Sequence, residues 1–159
     1  MHIAFITPEY PIEGFKGNVG GIGTFIKNFA NQLVKNNCKV SIFIASQSKE
    51  SVIFKDNIKI HFVKRKAIKG ITWLTNRYYF NNYVNEIILE DKIDVIEAPE
   101  WTGFTAFMNF RCPLVIRLHG SDTYFCHLEN RKLKAKNKFF EKNALLRADK
   151  IIGVSDFVG

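Results

Sequence analysis

The stretch HIAFITPEYPIEGFKGNVGGIGTFIKNFANQLV (residues 2–34) predicts a buried strand, a long loop and a helix. Residues 2–7 are almost all apolar, as in a strand that is covered on both faces. Apolar residues then recur at the spacing of a helix that lies on a core: Ile22, Phe25, Ile26, Phe29, Ala30 and Leu33. The loop at 8–20 exceeds the roughly 2–6 residues that usually join a strand to a helix, so it is a candidate for ligand binding.

The alternation of strand and helix continues to the end of the chain. Apolar runs predict strands at 39–45, 58–63, 93–98, 114–118 and 150–154, and apolar stripes predict helices at 80–91, 102–110 and 133–148. Lys59 and His61 alternate with apolar residues, which predicts a less buried face on their strand. Residues 46–57 are polar and predict a loop with at most a short strand. The whole pattern predicts one Rossmann-like α/β domain over 1–159, a doubly wound parallel sheet with helices on both faces.

The composition limits the classes of function. The net charge of +8 favours an anionic partner, such as phosphate groups, nucleic acid or a membrane surface. The three cysteines form no CxxC pattern and predict reduced thiols. No apolar stretch reaches the roughly 18 residues of a membrane span, and no basic segment precedes the first apolar run. We therefore expect a cytoplasmic protein whose only membrane contact is peripheral, at the inner face.

Four glycines cluster at the start of the first predicted helix: Gly17, Gly20, Gly21 and Gly23. They do not form the G-x-G-x-x-G fingerprint of a dinucleotide site, because the third position is occupied by Ile26. No Gly-Lys-Ser/Thr of a P-loop follows them either. Two interpretations stay open. The glycines either allow a tight turn with close helix packing, or let an anion approach the unpaired N–H groups of a helix N-terminus.

Ligands of parallel α/β sheets bind beyond the carboxyl ends of the strands. The segments at these ends are PEYPIEGFKGNVGG (8–21), PEWTG (99–103), HGSDTY (119–124) and SDFVG (155–159). Glu97 and Glu100 are spaced for an acid–base pair, although Glu100 fits the first turn of the next helix equally well. His119 is a candidate for the reacting site or for a structural hydrogen bond between loops, and Trp101 is a candidate for either a ligand platform or the core.

Four stretches, in this order, resemble glycosyltransferases of the GT-B fold: TPEYPIEGFKGNVGGIGTF (7–25), DVIEAPEWTG (94–103), LVIRLHGSDTYF (114–125) and LLRADKIIGVSDFV (145–158). The similarity covers the whole chain and is to the N-terminal domain of the large retaining family 4. It implies that Gly20, Gly21 and Gly23 approach the diphosphate of a nucleotide-sugar donor, and that His119 acts at the centre of sugar transfer. It also implies an acceptor site at the edge of the domain, for which the candidates are Glu9, Tyr10, Glu97, Glu100, Trp101 and Asp122.

The resemblance further implies a second domain. Family members continue into another Rossmann domain, which binds the nucleotide and supplies a Glu-x7-Glu pair with an Arg and a Lys. The present chain ends at Gly159 without these residues, so we expect a piece of a longer retaining enzyme, inactive alone. We expect no cofactor, since the nucleotide-sugar is a substrate, and no metal. The metal-ligand types at His119, Asp122, Cys126 and His127 have no recognised spacing.

Two basic runs, at 64–69 (KRKAIK) and 131–138 (RKLKAKNK), leave a further choice open. They are either solvated surfaces or a peripheral contact with a membrane that carries a lipid-linked acceptor. The sequence has no recognition-helix motif, so nucleic acid is not an expected partner. The alternative to an enzyme is a non-catalytic module that docks on a membrane surface or a partner protein. A nicotinamide-binding dehydrogenase is disfavoured, because the glycine fingerprint is missing and the second strand ends in Ala45 and Ser46, with no acid to hold a ribose.

Overall fold

The structure is a computed structural model that describes residues 1–15, 17–120 and 134–154. Its strands are β1 (His2–Thr7), β2 (Lys39–Gln47), β3 (Ser51–Lys55), β4 (Ile58–Lys64), β5 (Val95–Pro99), β6 (Leu114–Leu118) and β7 (Lys150–Gly153). Its helices are α1 (Gly21–Lys35), α2 (Thr72–Asp91) and α3 (Ala135–Leu145), with a 3₁₀ turn at Trp101–Gly103. All six strands that the apolar runs predict are present, whereas the helix predicted at 102–110 is not.

The seven strands form one sheet in the order β3-β4-β2-β1-β5-β6-β7. Every neighbouring pair is parallel except β3 and β4. Strand β1 lies at the centre, where Ile3 is in register with Val40 of β2 on one side and with Val95 of β5 on the other. The strand order changes direction between β1 and β5, and in such sheets a crevice opens there at the carboxyl ends of the strands. The prediction of a Rossmann-like doubly wound sheet is confirmed.

Helices cover both faces of the sheet. Successive side chains of a strand point to opposite faces, so each face has its own buried cluster. Ile3 and Phe5 belong to the same buried cluster as Ile26 and Ala30 of α1. Ala4 and Ile6 belong to the opposite cluster, with Phe80, Val84 and Ile88 of α2. Leu145 of α3 packs against this second cluster as well, so α2 and α3 share one face.

Two local predictions need correction. His61 does not lie on a less buried face, because it is 0% exposed and stacks on Phe43. Its Nδ1 also forms a hydrogen bond of 3.0 Å with the hydroxyl of Tyr83 on α2. Residues 102–110 do not form a helix beyond the 3₁₀ turn. The reason is in the backbone, because Thr102, Gly103 and Phe107 all have positive φ, which an α-helix cannot accommodate.

Within residues 46–57 the structure places the five-residue strand β3, which pairs antiparallel with β4 at the edge of the sheet. Asp56 and Asn57 connect the two strands, with φ of 52° and 61°. Positive φ at both central residues is typical of the two-residue turns that join tight hairpins, and Asp and Asn tolerate this conformation better than most residues. The tight turn at Asp56 and Asn57, and not an apolar pattern, is therefore the feature that indicates this edge strand.

Candidate functional site

A cavity of about 550 Å³ opens at the carboxyl ends of β1, β5 and β6. We call it the glycine cleft. The residues that line it are Pro8, Glu9, Gly20, Gly21, Ile22, Trp101, His119 and Gly120. Five of the predicted site residues thus meet in one cavity, although they come from three separate segments of the chain: Glu9, Gly20, Gly21, Trp101 and His119.

The glycines of the cleft have different structural roles. Helix α1 begins at Gly21, with Gly20 as the N-cap. A Cβ on Gly23 would lie 3.0 Å from the main-chain oxygen of Glu9, so close packing favours glycine there. A Cβ on Gly21 would have no heavy atom of the described residues within 4 Å, and Gly21 does not have positive φ. Packing therefore explains Gly23 and does not explain Gly21, for which the approach of an anion stays a prediction.

The carboxylate of Glu9 caps helix α1 from the preceding loop. Its Oε1 accepts the backbone N–H of Gly23 at 2.9 Å, and the N-cap Gly20 provides no side chain for this purpose. The first N–H groups of a helix have no partner within the helix. Those of Gly21 and Ile22 belong to this first turn, and both residues line the cleft. The cleft thus contains a helix N-terminus to which one carboxylate is already bonded.

His119 follows β6 directly and is held through its main chain. Its N–H donates to both carboxylate oxygens of Glu100, at 2.9 and 3.0 Å. Its ring packs edge-on against Phe25 of α1, with 5.0 Å between ring centroids. Burial, together with the charge of Arg117, lowers the pKa of His119 to about 4. The imidazole is therefore neutral at pH 7, with one nitrogen that donates and one that accepts a hydrogen bond.

The two predicted acidic residues of β5 and its following turn have partners inside the domain. Glu100 is 1% exposed, and burial raises the pKa of its carboxyl, against the effect of the hydrogen bond from His119. Glu97 forms a two-point ion pair with Arg117, whose Nε and Nη2 lie 2.6 and 2.8 Å from its carboxylate oxygens. The guanidinium of Arg117 in turn lies over the ring of Phe25 at 5.2 Å. Glu100 thus positions His119, and Glu97 fixes Arg117.

The remaining predicted site residues lie elsewhere. Tyr10 is 3% exposed and packs in the buried cluster beneath α1, where burial raises the pKa of its hydroxyl to about 12. Its ring is therefore part of the core, and the prediction that Tyr10 binds the acceptor at an exposed edge is wrong. Asp122 lies outside the described residues, as do Cys126 and His127. Arg117 was not among the residues predicted for the site, although its place two residues before His119, on the strand next to that of Glu97, indicated it.

Across the described ranges, no group of three or more His, Cys, Asp or Glu residues is arranged to hold a metal ion. Within the same ranges, no helix has the length and apolar character that crossing a membrane requires.

The fold is a Rossmann-like domain of the kind found in glycosyltransferases of the GT-B fold. A sucrose-phosphate synthase from Thermosynechococcus elongatus has the same fold, with a TM-score of 0.69 and 14% sequence identity, over 94% of this chain and 41% of that one. An uncharacterized glycosyltransferase of Methanocaldococcus jannaschii, MJ1178, is 28% identical over 146 residues, which are 88% of this chain and 38% of that protein. The chain thus spans about two fifths of the length of either protein.

The family model of Glycosyltransferase Family 4 matches residues 19–159. The chain belongs to this family. The family-4 resemblance drawn from the four sequence stretches is confirmed.

Proposed function

We propose that the protein is a retaining glycosyltransferase that moves a sugar from a nucleotide-sugar donor to an acceptor glycan or lipid-linked saccharide. The observation that carries this proposal is the meeting of Gly21, with its open Cβ position, and His119 in one cavity. Backbone N–H groups at a helix N-terminus are a favourable place for a diphosphate. Family membership and the GT-B fold support the transfer of a sugar.

The proposed roles follow from the chemistry of the cleft. The N–H groups of Gly21 and Ile22 bind the donor diphosphate and stabilise the negative charge that develops as it departs. His119, neutral at pH 7, donates a hydrogen bond to the transferred sugar, and its main-chain carbonyl stabilises positive charge at the anomeric carbon. Glu100 holds the main chain of His119 in place for both tasks. Neither a metal ion nor a further cofactor takes part in this scheme.

The proposal assigns most contacts with the nucleotide to a second domain. The chain spans 38% of its relative from M. jannaschii, and the groups of the glycine cleft that this scheme uses, the N–H groups of α1 and His119, contact the diphosphate and the sugar. We therefore expect this chain alone to bind UDP- or GDP-sugars more weakly than about 1 µM, which corresponds to about −8 kcal/mol. Micromolar affinity in calorimetry would mean that the donor site lies within this domain, and would contradict this part of the proposal.

The test uses the complete protein encoded by the gene. It is incubated with UDP- and GDP-sugars and with saccharide acceptors, and nucleotide release and product formation are measured with and without EDTA. Retention is read from the anomeric proton of the new linkage by NMR. The proposal predicts acceptor-dependent release, an α-linked product from an α-linked donor, and no effect of EDTA. An inverted product or loss of activity with EDTA would contradict the mechanism, and no turnover with any donor would favour the non-catalytic module.

A membrane contact is the second candidate function, and one specific surface favours it. Residues of the 64–69 run and the first turns of α2 form an exposed patch that combines basic and apolar side chains, which we call the basic–apolar patch: Lys66, Ile68, Lys69, Leu74 and Tyr78. Lysines beside exposed aliphatic and aromatic side chains suit the surface of an anionic bilayer. Lys134, Lys136 and Lys138 of the second basic run are also exposed, whereas residues 131–133 lie outside the described residues.

Vesicle co-sedimentation tests this contact. Vesicles of phosphatidylcholine alone are compared with vesicles that also contain phosphatidylglycerol. We expect binding to the anionic vesicles only, and its loss in the double variant Lys66→Glu, Lys69→Glu but not in Lys49→Glu, an exposed control lysine elsewhere. Equal binding of the double variant and the control would exclude the patch as the contact.

A further inference from the structure

Arg77 of helix α2 is a half-buried cation without a carboxylate partner among the described residues. None of the ion pairs between described residues involves it. Its Nε is buried and has no hydrogen-bond partner in the same part of the chain. Burial lowers the pKa of the guanidinium, which nevertheless stays charged at pH 7. Charged groups inside proteins are usually paired, so the place of this guanidinium needs an explanation.

The guanidinium lies between helix α3 and the 3₁₀ turn Trp101–Gly103. Its Cζ is 4.5 Å from the centre of the Phe140 ring on α3 and 5.9 Å from that of the Phe104 ring. Aromatic faces attract a cation, so these rings stabilise the charge where no carboxylate does. Its Nη2 donates to the main-chain oxygen of Gly103 at 3.2 Å. The guanidinium is thus bonded to the last residue of the turn.

The turn that Arg77 contacts has a strained backbone. Thr102 and Gly103 have φ of 55° and 58°, a left-handed conformation that is an outlier for a β-branched residue such as Thr102. A strained conformation persists only where the surrounding structure holds it. Helix α3 packs directly on the turn, since a Cβ on Gly103 would lie 2.1 Å from the carbonyl carbon of Phe140. The hydrogen bond from Arg77 is a second contact that holds it.

Three hydrogen bonds connect Arg77 with His119. The first joins Arg77 to the main-chain oxygen of Gly103. In the second, the N–H of Gly103 donates to the main-chain oxygen of Glu100 at 2.9 Å. In the third, the N–H of His119 donates to the carboxylate of Glu100 at 2.9 and 3.0 Å. The same turn begins with Trp101, which lines the glycine cleft together with His119.

We propose that Arg77 is a positioning residue of the glycine cleft: its guanidinium fixes the turn Trp101–Gly103, and Glu100 thereby holds the main chain of His119 in place. This rests on the proposed function, in which His119 contacts the transferred sugar. Arg77 is not among the residues that line the cleft. Its loss therefore changes the orientation of His119 and leaves the diphosphate contacts of α1 intact.

Arg77→Met is the test variant, because methionine keeps an apolar side chain of similar length among the aromatic rings and removes the guanidinium. Replacement of a buried charge by an apolar residue is often neutral or stabilising. The main-chain oxygen of Gly103 also keeps a partner, since it accepts the N–H of Ala106 at 3.0 Å. The melting temperature should therefore stay within about 2 °C of the parent. Arg111→Met, at an exposed arginine that precedes β6, is the matched control.

Hydrogen exchange tests the position of His119 without any substrate. The complete protein is labelled with ¹⁵N-histidine, and the His119 amide is assigned by its absence in His119→Gln. Exchange of this N–H should be at least about tenfold faster in Arg77→Met than in the parent, because the bond to Glu100 is loosened. Arg111→Met should exchange at the parent rate. Parent-like exchange in Arg77→Met, whether or not its melting temperature falls, would overturn the proposal.

The kinetics of sugar transfer give the second measurement. The kcat of Arg77→Met should fall about 10–100-fold while the donor KM stays within about twofold of the parent, because the sugar is misaligned but the diphosphate is still bound. A kcat equal to that of the parent would also overturn the proposal. If the parent itself transfers no sugar, the proposed function fails, and the exchange of the His119 N–H still decides whether Arg77 holds this residue in place.

Discussion

The carboxylate of Glu9 accepts a hydrogen bond from the backbone N–H of Gly23, with 2.9 Å between Oε1 and the nitrogen. The two residues are fourteen positions apart in the sequence. This contact explains why a chain with no capping side chain at Gly20 can start a helix there. It also places a negative charge beside the N–H groups that the donor diphosphate is proposed to use. Under the proposed function, donor and carboxylate share one helix N-terminus, and the effect of the carboxylate on the affinity for the diphosphate can be measured.

Neutralising Glu9 should strengthen the binding of a nucleoside diphosphate. Glu9→Gln keeps an oxygen that can accept the N–H of Gly23 but removes a negative charge that repels the diphosphate. At this partly buried site we expect the affinity to rise about fivefold, which corresponds to about 1 kcal/mol. Calorimetry with UDP or GDP on the complete protein measures the change, and Glu13→Gln, an exposed carboxyl of the same loop, is the control. Unchanged or weaker diphosphate binding would show that the carboxylate does not oppose the donor.

Removal of the His119 side chain should lower turnover far more than stability. The ring is proposed to contact the sugar, whereas its main-chain N–H, which His119→Ala retains, carries the bond to Glu100. We expect turnover of the complete protein to fall about 10–1000-fold, or about 1.4–4 kcal/mol of barrier. Turnover and melting temperature are measured on one preparation. A lowered melting temperature with unchanged turnover would make His119 a structural residue that packs on Phe25.

His61 should make the domain sensitive to acid. Burial lowers the pKa of His61 to about 4, below its usual value of about 6.5, so the unfolded chain binds more protons than the folded one between these values. Stability is therefore lost as the pH falls from about 6.5 to about 4, by up to about 3 kcal/mol for this residue. His119 adds to the same trend, because its pKa is lowered as well.

Urea denaturation at about pH 7 and about pH 4.5 measures this loss. His61→Phe keeps an aromatic ring against Phe43 and cannot be protonated, so it should remove a large part of the difference between the two pH values. The same pH dependence in His61→Phe as in the parent chain would assign the acid sensitivity to other groups.

Gly103 should be among the least replaceable residues of the domain. Its φ is +58°, and a Cβ would lie 2.1 Å from the carbonyl carbon of Phe140 in α3. Gly103→Ala forces α3 away from the 3₁₀ turn and should cost at least about 3 kcal/mol. Gly70 is the matched control, because its φ is +89° but no described heavy atom lies within 4 Å of its Cβ position. Gly70→Ala should cost only about 1–2 kcal/mol of backbone strain, and equal losses in the two variants would contradict the steric account.

The sequence predicts most of the fold because apolar runs determine which segments are buried. The strand at 114–118 is predicted to the residue, and the central sheet follows from five further apolar runs. The prediction fails where a neighbour in space decides the outcome. His61 looks like a surface residue in an alternating strand, but α2 covers it through Tyr83, and no local pattern contains that contact.

The candidate site shows the same limit. The sequence predicts the residues that meet in the glycine cleft, because they follow strands whose carboxyl ends share one edge. It does not separate Gly21 from Gly23, since the distinction depends on where the main chain of Glu9 lies. Nor does it reveal the ion pair between Glu97 and Arg117, because their side chains meet only once β5 and β6 pair.

The donor KM of Gly21→Val, measured with the complete protein, tests the central claim most directly. The free protein has room for the new side chain, because no described heavy atom lies within 4 Å of the Cβ position. The melting temperature should therefore stay within about 2 °C of the parent, which corresponds to about 0.5–1 kcal/mol for a domain of this size. The valine methyl groups should block the N–H groups at the start of α1 and raise the donor KM at least about tenfold, or about 1.4 kcal/mol. A donor KM equal to that of the parent, with the fold intact, would contradict the claim that the diphosphate lies on this helix.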